Sequence, residues 1–314
     1  MKSRKLLTAT VGVLSTVLLA GSMTAFAAEA DSDMQAIQDK GVLVVGITDF
    51  APMDYKDDNG EWIGFDADLA LKFGEEIGVD VEFQEIDWDN KILELNAGTV
   101  DCIWNGMTLT DEVNEAMECT ITYALNAQVV VMKADQLEIY PDAESMADLS
   151  FAVEAGSAGE AVAQEAGFNT NAVQNQAAAL MEVAAGTSDA CVIDKTMADA
   201  MTGDGTSYAD LGYAVSLSSE EYVVGFRKGS DCAAALNELF TAWIADGTLA
   251  DLSEKYDNAV SIAEAKDDAA EGESEDGESP EGESDDSENP DNKPESEAPP
   301  MGPDGKPLKP GEGE

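Results

Sequence analysis

Between residues 42 and 104 the hydrophobic pattern alternates between strand-like and helix-like periods, and that alternation restricts the fold more than any other feature of the chain. Residues 42–47 form a continuous apolar run, as a strand covered on both faces requires. Over residues 66–77, Leu69, Phe73 and Ile77 recur at helical spacing, with acids expected on the opposite face. Residues 79–86 alternate like a half-buried strand, 90–96 read as a short helix ahead of Gly98, and 100–104 are apolar again. This β-α-β-α-β order predicts a parallel sheet with functional groups collected at the carboxyl ends of its strands. After a strand at 128–132, residues 150–154 restart the pattern, with helices from about Gly159 and over 176–185 and a strand at 191–193. A strand at 222–226 and helices over 233–244 and 249–256 complete it.

The two ends differ from this core. Residues 1–27 read as a secretory signal: Lys2, Arg4 and Lys5 precede an apolar run, and Ala25-Phe26-Ala27 supplies small residues for cleavage near Ala27. The apolar run is short for a membrane span. Residues 264–314 hold 19 acidic side chains against 4 lysines and no aromatic residue. Such a segment has too little to bury, and the composition predicts a disordered acidic tail. Residues 28–263 carry 46 acidic and 9 basic side chains, a net charge of −37, with Arg227 as the only arginine. A surface this negative repels nucleic acid and anionic solutes and concentrates cations. Histidine is absent, which removes the commonest general base and metal ligand. No phosphate loop, zinc spacing or nucleophile elbow occurs, so neither cofactor nor metal is expected and an enzyme is disfavoured.

Four motifs follow one another along the chain: Val44-Val45-Gly46-Ile47-Thr48-Asp49-Phe50-Ala51-Pro52-Met53-Asp54-Tyr55, Gly64-Phe65-Asp66-Ala67-Asp68-Leu69-Ala70, Gly98-Thr99-Val100-Asp101-Cys102-Ile103-Trp104-Asn105-Gly106-Met107-Thr108-Leu109-Thr110, and Ser188-Asp189-Ala190-Cys191-Val192-Ile193-Asp194. In that order they resemble the amino-acid type (family 3) of extracellular solute-binding protein that serves ABC importers. The resemblance implies a two-lobed α/β fold, periplasmic-binding-protein-like and of type II, with the ligand cleft between lobes. Lobe 1 would comprise residues 33–127 plus 221–258 and lobe 2 residues 128–220, joined by a hinge near 123–127 and 220–223. It also implies an exported monomer that binds a small amino acid or amine and delivers it to an ABC permease. Two other readings are an extracytoplasmic dehydratase-like enzyme on the same fold and a ligand-sensing module for a membrane receptor. Relatives often carry a cysteine for lipid attachment after the signal; here Ser22 follows Leu-Ala-Gly, so lipidation is not expected.

The resemblance assigns site residues one by one. Asp49 and Phe50 follow the first strand, and the rings of Phe50 and Trp88 match positions that sandwich the ligand. Asn105, Gly106 and Thr108 occupy a strand-to-loop turn that offers carbonyl, hydroxyl and N–H groups to the ligand's ammonium and carboxylate. Asp194 is placed to meet the ammonium, although a helix N-cap is the plain alternative. Ser157 and Ala158 open a helix after Gly156, where free N–H groups suit an anion. Glu154 stands where a ligand side chain would end. One departure matters: relatives usually carry a carboxylate-gripping arginine at the position of Val113. Together with the charge of −37, this points to a cationic or zwitterionic ligand. Cys102 and Cys119, close in sequence and within one lobe, are the preferred disulfide pair, with Cys191 and Cys232 free.

Overall fold

The computed structural model describes residues 32–264, so the signal at 1–27 and the acidic tail beyond Glu264 lie outside it. Helix α1 (Asp33–Lys40) leads into β1 (Val42–Ile47), a hairpin of β2 (Tyr55–Lys56) and β3 (Trp62–Ile63), α2 (Phe65–Ile77) and β4 (Asp80–Glu85). Then come α3 (Lys91–Ala97), β5 (Cys102–Thr108), α4 (Asp111–Ala116), β6 (Met117–Cys119) and β7 (Ala124–Asn126). The chain crosses to β8 (Gln128–Lys133), β9 (Ser150–Glu154), α5 (Ala158–Glu165), β10 (Asn169–Val173), α6 (Gln176–Ala185), β11 (Ala190–Asp194), α7 (Lys195–Met201) and β12 (Leu211–Ser216). It returns through β13 (Glu220–Arg227) to α8 (Cys232–Ala245), α9 (Thr248–Lys255) and β14 (Ser261–Ile262).

Two sheets result. The first runs β14-β7-β13-β5-β1-β4, with β6 also on β13; the second runs β10-β9-β11-β8-β12. In the first, β4, β1 and β5 are parallel, as the alternating pattern requires, while β13 comes back antiparallel against β5. In the second, β10, β9 and β11 are parallel and β8 is antiparallel to β11. Both parallel sets aim their carboxyl ends at the same region, which is where the site forms.

Packing fixes the strand ends from below. Helix α2 buries Leu69 and Phe73 against the first sheet, and Trp104 of β5 is fully buried edge-on to Phe240 at 5.7 Å. Asp66 does not join the solvent-facing acids: it sits one turn before Leu69 and is fully buried. Its Oδ2 accepts from the Gly106 N–H at 2.6 Å and from the Tyr123 hydroxyl at 2.8 Å. Nearby, the Asn105 amide donates to Asp54 Oδ2 at 2.7 Å, and Asn105 Oδ1 accepts from the Thr48 N–H at 3.0 Å. Asp54 and Asp66 each keep one buried oxygen without a partner, and burial pushes both carboxyls upward, Asp66 to about 7.

The strand-to-loop turn expected at residues 105–108 is a continuation of β5, which runs to Thr108. Its pairing with β13 is irregular between Val223 and Gly225, opposite Gly106 at φ 54°. Glycine is required there, because a Cβ would lie 2.7 Å from the Phe50 ring and 3.2 Å from that of Tyr222.

The expected Cys102–Cys119 disulfide does not form; all four cysteines are free. Cys102 is on β5 and Cys119 on β6, and β13 lies between them, pairing Phe226 with Cys102 and Gly225 with Cys119. Two strand spacings of about 4.8 Å each exceed the reach of a disulfide. Arg227, the only arginine of residues 28–263, is partly buried. It ends β13, grips Asp33 at 3.0 Å and lies 3.5 Å from Asp101.

Candidate functional site

A cavity of about 270 Å³ lies where the two sets of strands converge. Nine of the ten residues expected from the sequence stand on its wall: Phe50, Trp88, Asn105, Gly106, Thr108, Glu154, Ser157, Ala158 and Asp194. Asp49 does not; it is exposed beside Phe50 and is not part of the lining. The wall also holds Lys91, Asp111, Glu112, Val113, Gln128 and Gln176, none of which was singled out from sequence except Val113.

Phe50 and Trp88 are almost wholly buried, and Phe50 is held by its contact with Gly106. The Asn105 side chain and the Gly106 N–H face the core, not the cavity, so this segment shapes the wall and leaves those groups committed. The Thr108 hydroxyl donates to Glu220 Oε2 at 2.9 Å.

Asp194 ends β11. It does not cap α7 with its side chain, so the capping alternative is set aside. Instead its carboxylate is the acceptor of four side-chain donors. Asn126, Gln128 at 3.1 Å and the Tyr222 hydroxyl at 2.7 Å converge on Oδ1, and Gln176 donates to Oδ2. Glu220 is filled in the same way, by Asn126 at 3.1 Å, Gln128 at 2.9 Å, Thr108 and, on Oε1, Ser218 at 2.9 Å. Asn126, Gln128, Ser218 and Glu220 sit at the two chain crossings, β7 to β8 and β12 to β13. Asp194 and Glu220 thus tie both crossings to the floor of the cavity. Burial pushes the Asp194 carboxyl up to about 7, and the charge of Glu220 adds to the effect.

Glu154 ends β9 and is 2% exposed. Its Oε1 has no hydrogen-bond partner, and Gln128 Oε1 on the same wall is also unpartnered. Burial, reinforced by the negative charge of Asp194, pushes Glu154 up to about 8. The loop that follows is partly used by the protein itself. Ser157 caps α5 by accepting from the Glu160 N–H at 3.0 Å, and Glu160 Oε2 accepts from the Gly156 N–H at 2.7 Å. The anion site expected there therefore already holds one carboxylate, that of Glu160.

Lys91 opens α3 and is the only basic residue on the wall. It is 8% exposed, stands 5.1 Å from the Trp88 ring centroid and donates to the Gly156 carbonyl at 2.9 Å, linking the two lobes. Burial holds its ammonium below the usual lysine range. Val113, buried at the first turn of α4, adds only apolar surface. No cluster of side chains suited to a metal occurs among the described residues.

Residues 43–259 match the pattern of the bacterial extracellular solute-binding proteins, family 3. The L-cystine-binding protein TcyJ of Escherichia coli is 25% identical over 254 residues, covering 79% of this chain and 94% of that protein. Among solved structures, an ancestral amino acid-binding protein described as a precursor of cyclohexadienyl dehydratase superposes with a TM-score of 0.66 at 30% identity, covering 72% of this chain and 99% of that one. An amino acid ABC transporter substrate-binding protein of Streptococcus pneumoniae bound to L-arginine gives a TM-score of 0.67 at 26% identity, covering 74% and 99%.

Proposed function

The chain belongs to family 3 of the bacterial extracellular solute-binding proteins, and on that premise we propose that it captures one amino acid between its lobes and delivers it to an ABC permease without changing it. The observation that carries this reading is the cavity itself. Both lobes wall it, Phe50 and Trp88 supply flat apolar faces, and buried Glu154 and Lys91 supply one acidic and one basic group. Such a mixture of apolar surface and few placed polar groups suits one small polar solute. TcyJ and the Streptococcus protein bind amino acids, by name and title, which supports the same class here. The acidic lining of Asp111, Glu112, Glu154 and Asp194 against one lysine favours ligands without net negative charge. The signal-like residues 1–27 support export with cleavage near Ala27, and the protein acts as a monomer beside its permease. Among the described residues no helix is long and apolar enough to cross a membrane.

One observation favours a second reading. A carboxyl raised to about 8, as Glu154 is, stays protonated at neutral pH and could act as a general acid in a dehydratase. The absence of histidine leaves it with no obvious basic partner. A melting panel over the standard amino acids and cystine tests the first reading. At a hundred times its dissociation constant a ligand adds about 2.7 kcal/mol to the folded state. A shift with at least one amino acid, recovered unchanged, is the expected result. No shift, or conversion of the compound, overturns it.

A further inference from the structure

Lys91 and Glu154 face one cavity, each buried, and neither makes a salt bridge. Among the described residues Lys91 has no carboxylate within 4.0 Å, in a protein whose other cavity-side charges are all negative. Its ammonium has three donors; one goes to the Gly156 carbonyl at 2.9 Å, one reaches the Trp88 carbonyl at a weak 3.4 Å, and the third is uncommitted. Glu154 Oε1 is buried with no donor at all. A buried polar atom without a partner is costly, and a site normally keeps one only where a ligand completes it. Asp194, by contrast, already accepts from four protein donors.

We infer that Lys91 and Glu154 are the two halves of an ion pair split by the cavity and completed by the ligand, Lys91 taking a carboxylate and Glu154 an ammonium. This rests on the amino-acid reading and deepens it: the site selects compounds carrying both groups over simple amines and simple acids. The Gly156 bond gives the arrangement a second consequence. Lys91 belongs to α3 of the first lobe and Gly156 to the second, and a Cβ on Gly156 would lie 2.7 Å from Asp89 Cα, so the lobes meet here without slack. A carboxylate that fixes Lys91 therefore also fixes the contact that closes the lobes. The groups facing Lys91 are Glu112, Glu154 and Asp89, all acidic; none is within 4.0 Å, so a ligand carboxylate must outcompete them by direct contact with the uncommitted third donor. Glu154, raised to about 8 by burial, must give up its proton when an ammonium arrives. Binding at neutral pH therefore releases a proton.

The test is calorimetry on the full chain with matched pairs that differ by loss of the carboxylate: L-arginine and agmatine, L-histidine and histamine, L-cystine and cystamine. If another standard amino acid gives the largest melting shift, it and its decarboxylated amine join the set. The parent should prefer the amino acid by about ten- to a hundredfold, the scale of a charged hydrogen bond. Lys91→Met should shrink that preference to within about threefold by weakening the amino acid alone. Lys91→Gln, which keeps a donor for the Gly156 carbonyl, carries the same expectation if the methionine variant is unstable. Heats measured in two buffers of different ionisation enthalpy should show proton release by the parent and none by Glu154→Gln. A preference that survives both Lys91 substitutions makes Lys91 a strut between lobes and overturns the inference. Unchanged proton release in Glu154→Gln overturns its other half. A parent that binds no standard amino acid and no cystine defeats the amino-acid reading itself, a result distinct from binding with the preference intact.

Discussion

Replacing Asp194 by alanine should destabilise the unliganded protein, because the carboxylate organises the crossings between lobes. Four donors lose an acceptor. Asn126 and Gln128 retain Glu220 at 3.1 and 2.9 Å, so the groups left bare are the Tyr222 hydroxyl and the Gln176 amide. Each buried donor without a partner costs about 1–3 kcal/mol. Gln176 faces the cavity, where water can serve it, and a carboxyl already raised to about 7 by burial is no great loss as a charge. The net effect is a loss of about 2–4 kcal/mol. For a folded part of this size that lowers the melting temperature by roughly 4–16 °C, read by calorimetry at pH 7 without ligand. Tyr222→Phe removes the bare hydroxyl, so it should cost less in the alanine background than alone, with a coupling of about 0.5–3 kcal/mol. A melting temperature within about 2 °C of the parent, with additive single effects, would refute the claim that these donors depend on Asp194.

Gly106→Ala should lose about 2–4 kcal/mol, from the left-handed backbone and the overlap with Phe50, and weaken ligand binding through the displaced ring; calorimetric melting and titration with unchanged values would contradict this. The pH profile follows from carboxyls raised on folding. Asp66 and Asp194 at about 7 and Glu154 at about 8 stabilise the fold while protonated and lose that contribution as pH rises through those values. The unliganded protein should therefore melt lower at about pH 9 than at about pH 6, with a shallower slope in Glu154→Gln; stability that rises over this range sinks the assignment. Thiol titration of the protein unfolded without reductant should count all four cysteines, and a count of two would restore a disulfide.

The parallel strands were legible because buried strands and amphipathic helices have different periods, and strand ends locate sites on such sheets. The resemblance to the family, which sets ligand groups at those strand ends, implied Phe50, Trp88, Glu154 and Asp194. Three kinds of residue escaped it. Lys91 reads as an ordinary surface lysine, yet it opens a helix, where the macrodipole disfavours a cation, and that misfit was a usable signal. Asp66 precedes Leu69 and Phe73 by three and seven residues, so spacing alone places it on their buried face. Gln128, Gln176, Glu220 and Tyr222 gave no signal, since their meeting at Asp194 depends on two crossings that bring distant strands together. The Cys102–Cys119 pairing failed for the same reason: β13, from a hundred residues later, inserts between neighbours in sequence.

The central claim is that the cavity binds one amino acid and leaves it intact. Titration calorimetry of the parent with the amino acid that gives the largest melting shift, followed by analysis of the recovered solute, tests it most directly. The account predicts saturable binding of one molecule per chain and return of the same compound. Heats that never saturate for any amino acid, or recovery of a different product, would contradict it.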